Sequence, residues 1–131
     1  MIGIDTNILL RLWLNDDAAQ NKRIDALLAQ HGSTPGSLLV TNVVLAEAVW
    51  TLRAAFDHGK AAQLIAIRSL LDEIAFAFED REAVRQAAEM FEQSNCGFSD
   101  CLVAVEHARH GCDFTATFDR GMRKLPGVKL L

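Results

Sequence analysis

Short apolar runs alternate with longer stretches of helical periodicity along the whole chain, and that alternation restricts the fold more than any other feature. Residues 1–4, 38–41, 75–78, 114–118 and 128–130 are apolar runs of strand length, the form taken by strands covered on both faces. Asp5, Thr6 and Asn7 close the first run and suit the opening of a helix that carries residues 8–14. Asp16 and Asp17 start a second helix, with acids in its first turn and Ile24, Leu27 and Leu28 along one side. Asn42 is expected to cap a helix over 43–56, broken at 57–59, and 60–73 then packs back on it as a helical hairpin. Residues 80–93 are amphipathic through Val84, Ala87, Ala88 and Phe91, and a further helix runs from the Gly97-Phe98-Ser99 break to Gly111. Arg120-Gly121 and Pro126-Gly127 read as turns.

Strands alternating with helices in this order predict an α/β fold. The expected architecture is a three-layer α/β/α sandwich around a mainly parallel sheet of four to five strands, with right-handed crossovers. Ligand sites in such sheets lie beyond the carboxyl ends of the strands. The chain has 131 residues, 50% of them hydrophobic, which suits one domain over 1–131 rather than two undersized ones. No uninterrupted apolar stretch is long enough to span a bilayer, and Met1-Ile2-Gly3-Ile4-Asp5 lacks the features of a secretory signal, so no membrane association and a cytoplasmic location are expected.

Cys96, Cys101 and Cys112 form no CxxC pair and are expected to be buried reduced thiols. The four histidines, His31, His58, His107 and His110, are expected to be solvated. A net charge of −4 argues against a nucleic-acid partner until a local feature is weighed against it. Arg120, Arg123, Lys124 and Lys129 form a basic strip near the C-terminus, which is either a phosphate-contacting surface or an ordinary solvated one.

Among the acids, Asp5, Glu47, Asp100 and Asp119 stand apart because their sequence neighbours are apolar. Glu47 has Val43, Val44, Trp50 and Thr51 at helical spacing, and the opposite stripe of Leu45, Val49, Leu52 and Phe56 is apolar too. Both faces of its helix are therefore expected to be covered, and a buried carboxylate needs a partner or a cation. Asp100 is equally suited to complement a helix N-terminus, Asp5 to cap a helix, and Asp119 to form a turn. Taken together, however, all lie at strand ends or early in the following helix, and only Asp119 has a cation beside it, Arg120. Carboxylates converging at one sheet edge would repel one another unless divalent cations were present. A donor set of oxygen alone points to Mg²⁺ or Mn²⁺ rather than Zn²⁺.

These residues resemble those of the PIN-domain nucleases, and most closely the VapC toxins of type II toxin–antitoxin systems. The matching segments are Gly3-Ile4-Asp5-Thr6-Asn7-Ile8-Leu9, Val44-Leu45-Ala46-Glu47-Ala48-Val49-Trp50, Phe98-Ser99-Asp100-Cys101-Leu102-Val103-Ala104 and Thr115-Ala116-Thr117-Phe118-Asp119-Arg120, with 124–128 closing the domain. The resemblance implies that Asp5, Glu47, Asp100 and Asp119 form the metal-binding acidic set. Asp5 and Asp100 are the first choices as direct ligands; Glu47 and Asp119 are either ligands or orienters of water. Thr6, Asn7 and Thr117 become neighbouring polar partners, and Arg120, Arg123 and Lys124 candidates for RNA phosphates. It further implies hydrolysis of RNA to 5′-phosphate and 3′-hydroxyl ends, a homodimer and a cognate small antitoxin protein, with the helices over 43–73 resembling the hairpin used for dimer contacts and for the antitoxin groove. The alternatives are a housekeeping RNA-processing nuclease with the same acids, a Mg²⁺-binding phosphoacceptor switch domain, and a non-catalytic binding module.

Overall fold

A computed structural model describes all of residues 1–131. The chain divides into two compact units, Met1–Arg81 and Glu82–Leu131. The first unit contains β1 (Ile2–Gly3), α1 (Thr6–Leu14), α2 (Ala18–His31), β2 (Leu38–Val40), α3 (Asn42–Phe56), α4 (Lys60–Asp72) and β3 (Phe76–Phe78). Its strands form one sheet in the order β1-β2-β3, parallel throughout, with Ile2 opposite Leu38 and Leu38 opposite Phe76. Each parallel pairing is reached through two helices, as a parallel ladder requires a long crossover.

The apolar spacing of these helices determines what they bury. On α3, Leu45, Ala48, Val49 and Leu52 are enclosed, and Leu52 joins Leu10 of α1 and Ala66 of α4 in a core cluster flanked by Trp13 and Leu14. Helix ends follow local chemistry. The Asp17 carboxylate accepts the Gln20 N–H at 3.0 Å to start α2. Asn15 and Asp57 end α1 and α3 at φ 50° and 55°, a left-handed conformation that these short polar side chains tolerate better than most. The cap of α3 lies one residue earlier than the sequence predicts: Thr41 takes that position and Asn42 is the first helical residue.

The second unit contains α6 (Phe98–Arg109), β4 (Thr115–Thr117), a 3₁₀ turn (Arg120–Lys124) and β5 (Val128–Leu130), together with α5 (Arg81–Gln93), whose first residue is the last of the preceding unit. β4 and β5 pair in parallel, with Thr115 opposite Val128, across a connection short enough to hold only the 3₁₀ turn. The sequence reading shows simple turns there and misses that short helix. Gly127 adopts φ +71° just before β5, where a side chain would be strained. α5 buries Ala83, Val84, Ala87, Ala88 and Phe91. On its exposed side Arg85 bonds to Glu82 and Glu89, and the hydrogen bonds from Arg85 and then Gln86 hold the Glu82 carboxyl down at about 2.

The α/β class and the parallel pairing match the expectation. The strands are distributed as a sheet of three and a sheet of two. No helix is long and apolar enough to cross a membrane. Cys96 and Cys101 are buried as expected, whereas Cys112 is exposed, because it follows the Gly111 helix stop in a polar loop with no stripe to bury it.

Candidate active site

The carboxyl edge of the three-stranded sheet carries the first candidate acid. The Ile4 N–H bonds to the Leu39 carbonyl at 2.9 Å and extends the β1–β2 ladder by one step. Asp5 follows in extended conformation (φ −84°, ψ 163°) as the residue capping α1. Its side chain is exposed and makes no capping hydrogen bond. Thr6 is 7% exposed, while Asn7 is open to solvent.

Glu47 corrects the sequence reading. It is exposed, because the apolar residues expected to cover it are themselves open: Val43 is 72% and Trp50 64% exposed. α3 buries only one of its two apolar stripes, so Glu47 stands on a solvent-facing side between those residues. Burial therefore does not distinguish it from other acids.

In the second unit, Asp100 is half-buried in the first turn of α6, after Gly97 as cap. A Cβ at Gly97 would lie 3.8 Å from its Oδ2, which places the carboxylate against the start of the helix. Asp119 caps the 3₁₀ turn, its Oδ1 accepting the Gly121 N–H at 2.8 Å. Its own N–H bonds to Thr117 Oγ1 at 3.0 Å, so Thr117 does hold the backbone of a candidate acid. Arg120, Arg123 and Lys124 lie exposed on the turn that follows. Lys129 lies over the Phe114 ring, 5.0 Å from its centroid. His107 is exposed, but its Nδ1 lies 2.9 Å from the buried Thr115 Oγ1, a tie between α6 and β4 rather than a free imidazole.

The donor chemistry fits a hard divalent cation: the candidates are oxygen donors, and the ion pairs run elsewhere, from Arg11 to Asp16 and from Arg85 to Glu82 and Glu89. No group of three or more His, Cys, Asp or Glu side chains stands close enough to hold a metal ion. Asp5 and Glu47 belong to one unit, Asp100 and Asp119 to the other.

A model of the PIN domain matches residues 2–128. The chain belongs to the PIN-domain family. It is also similar to a VapC ribonuclease of Aquifex aeolicus (strain VF5), with 22% identity over 122 residues, covering 93% of this chain and 90% of the relative. The PIN match runs through both units and through every candidate acid.

One further acid, Glu79, reads as solvated from its polar sequence neighbours and is exposed at the same edge. Glu79 directly follows β3 as Asp5 nearly follows β1, and continuing the strand registers sets Asp5, Thr41 and Glu79 at one level. With strands about 4.8 Å apart, Asp5 and Glu79 have backbones roughly 10 Å apart. The signal available in the sequence was its place immediately after an apolar run. The first unit also has an apolar groove of about 720 Å³ between its helices, lined by Trp13, Leu28, Leu52, Ile65, Leu70 and Phe76 among others.

Proposed function

We propose that this PIN-domain protein is a Mg²⁺- or Mn²⁺-dependent endoribonuclease. In this reading Asp5, Glu47, Asp100 and Asp119 are the residues of its metal-binding acidic set. The observation that carries the reading is the coincidence of the family match with acids that are open or half-open and free of paired cations. A structural role alone would leave Asp5 without a purpose, since its carboxylate bonds to nothing in its own helix.

Asp5 and Asp100 hold the cation, and Glu47 and Asp119 complete its surroundings. Such a cation, when bound, supplies Lewis acidity toward water and toward the phosphoryl oxygens. The protein supplies the rest. Thr117 fixes the backbone at Asp119 and Gly121 fixes one of its carboxylate oxygens, so that the other oxygen keeps one direction. Arg120, Arg123 and Lys124 meet the RNA phosphates, a local basic surface on an acidic chain. Thr6 and Asn7 orient groups around Asp5.

The similarity to a VapC ribonuclease supports a toxin role, with a homodimer in the cytoplasm and a small antitoxin protein as partner. The apolar groove of the first unit suits a partner's apolar segment. A housekeeping RNA-processing role is the alternative, and the neighbouring gene separates the two: a small DNA-binding protein encoded beside this one supports the toxin.

The activity itself is tested by incubating the protein with single-stranded RNA. Excess chelator is expected to abolish cleavage, Mg²⁺ or Mn²⁺ in excess over chelator to restore it, and the products to carry 5′-phosphates. Undiminished cleavage in chelator contradicts the reading.

A further inference from the structure

Glu79 and α3 are joined by a hydrogen bond that the catalytic reading does not use. Glu79 Oε2 accepts the Asn42 N–H at 2.7 Å, across 37 residues of sequence. That N–H is one of the first-turn donors left without a partner inside the helix. A helix usually meets this need with its own capping side chain. Here Thr41 makes no such bond and α3 has no acid in its first turn. A carboxylate from the neighbouring strand takes the role, setting negative charge against the positive end of the helix dipole.

Glu79 is exposed, but the strand that leads to it is held. β3 is registered against β2, with Phe78 opposite Val40. The Arg81 guanidinium donates to the Leu71 and Phe76 carbonyls and lies over the Phe78 ring at 4.9 Å. The buried stripe of Leu45, Ala48, Val49 and Leu52 sets the rotation of α3 about its axis. The Glu79 bond ties its first residue to the sheet edge, five residues before the exposed Glu47.

We propose that Glu79 is a positioning residue: by holding the Asn42 N–H it fixes the height of α3 on the sheet edge, and so the place of Glu47 relative to Asp5. This rests on the reading of Glu47 and Asp5 as metal-site residues. It goes beyond capping, because a cap stabilises the helix wherever it comes from, whereas the Glu79 bond also ties the helix to the residue that follows β3.

The test compares wild type, Glu79→Ala, Glu79→Gln and the double variant Thr41→Asp/Glu79→Ala by Mn²⁺ titration, thermal melting and RNA-cleavage kinetics. Glu79→Ala is expected to weaken Mn²⁺ about tenfold, the loss typical of a group that supports a ligand, and to lower kcat more than KM. Glu79→Gln keeps an oxygen acceptor and should restore most of both. In the double variant a local cap should regain melting temperature but not Mn²⁺ affinity. Recovery of both there reduces Glu79 to a helix cap and overturns the proposal, as does wild-type Mn²⁺ affinity in Glu79→Ala. A Glu79→Gln as weak as Glu79→Ala also overturns it, because the charge then acts directly. Should Glu79→Ala not fold, Glu79→Gln decides alone, with near-wild-type affinity expected. A wild-type protein that neither binds Mn²⁺ nor cleaves RNA fails the functional reading instead.

Discussion

Asp5→Asn is expected to lower metal-dependent RNA cleavage by about a hundredfold or more while leaving thermal stability essentially unchanged. The size of the loss follows from comparison: groups that merely support a metal ligand cost about 10–100-fold when removed, and a direct ligand costs more. The unchanged stability follows from the structure. The Asp5 carboxylate is exposed and makes no hydrogen bond to α1, and Asn is as good a helix cap as Asp. Removing the charge therefore takes nothing from the fold. Cleavage assays and melting curves on the same preparation check both halves; a large fall in stability with unchanged cleavage reverses the assignment.

Leu52→Ala is expected to cost about 2–5 kcal/mol of stability, the range for emptying a leucine-sized space in a packed interior. Leu52 is fully enclosed and meets Leu10 and Ala66 from two other helices, with Trp13 and Leu14 alongside. Its neighbour Trp50 provides the contrast. It is larger and more hydrophobic in bulk, yet 64% exposed, so Trp50→Ala should change stability by roughly 0.5 kcal/mol or less. Denaturant unfolding of the two variants measures which side of α3 faces the core.

That contrast also separates what is legible in the sequence from what is not. Strand and helix positions were legible because burial imposes a period, and the breaks at 57–59, Gly97 and Gly111 are chemical. Asp17 as the start of α2 was legible for the same reason. Glu47 was misread because periodicity reports that a side is apolar, not that it is covered. Val43 and Trp50 are apolar and open. The 3₁₀ turn was missed because Arg120, Gly121, Arg123 and Lys124 carry no apolar period, and the turn is held by the Asp119 carboxylate instead. Glu79 reads correctly as solvated, but its bond across 37 residues is not encoded in local spacing. Asp5 and Asp119 are legible as acids following strands, and the PIN match covers both positions.

Asp5 and Asp100 are both proposed as direct ligands of the cation. Calorimetric titration of Mn²⁺ into wild type, Asp5→Asn and Asp100→Asn tests this most directly, because each substitution removes one of those two carboxylates. The account predicts that either substitution alone abolishes the same tight Mn²⁺ binding seen in wild type. Tight binding that survives Asp100→Asn, or that persists at full stoichiometry in both variants, contradicts it.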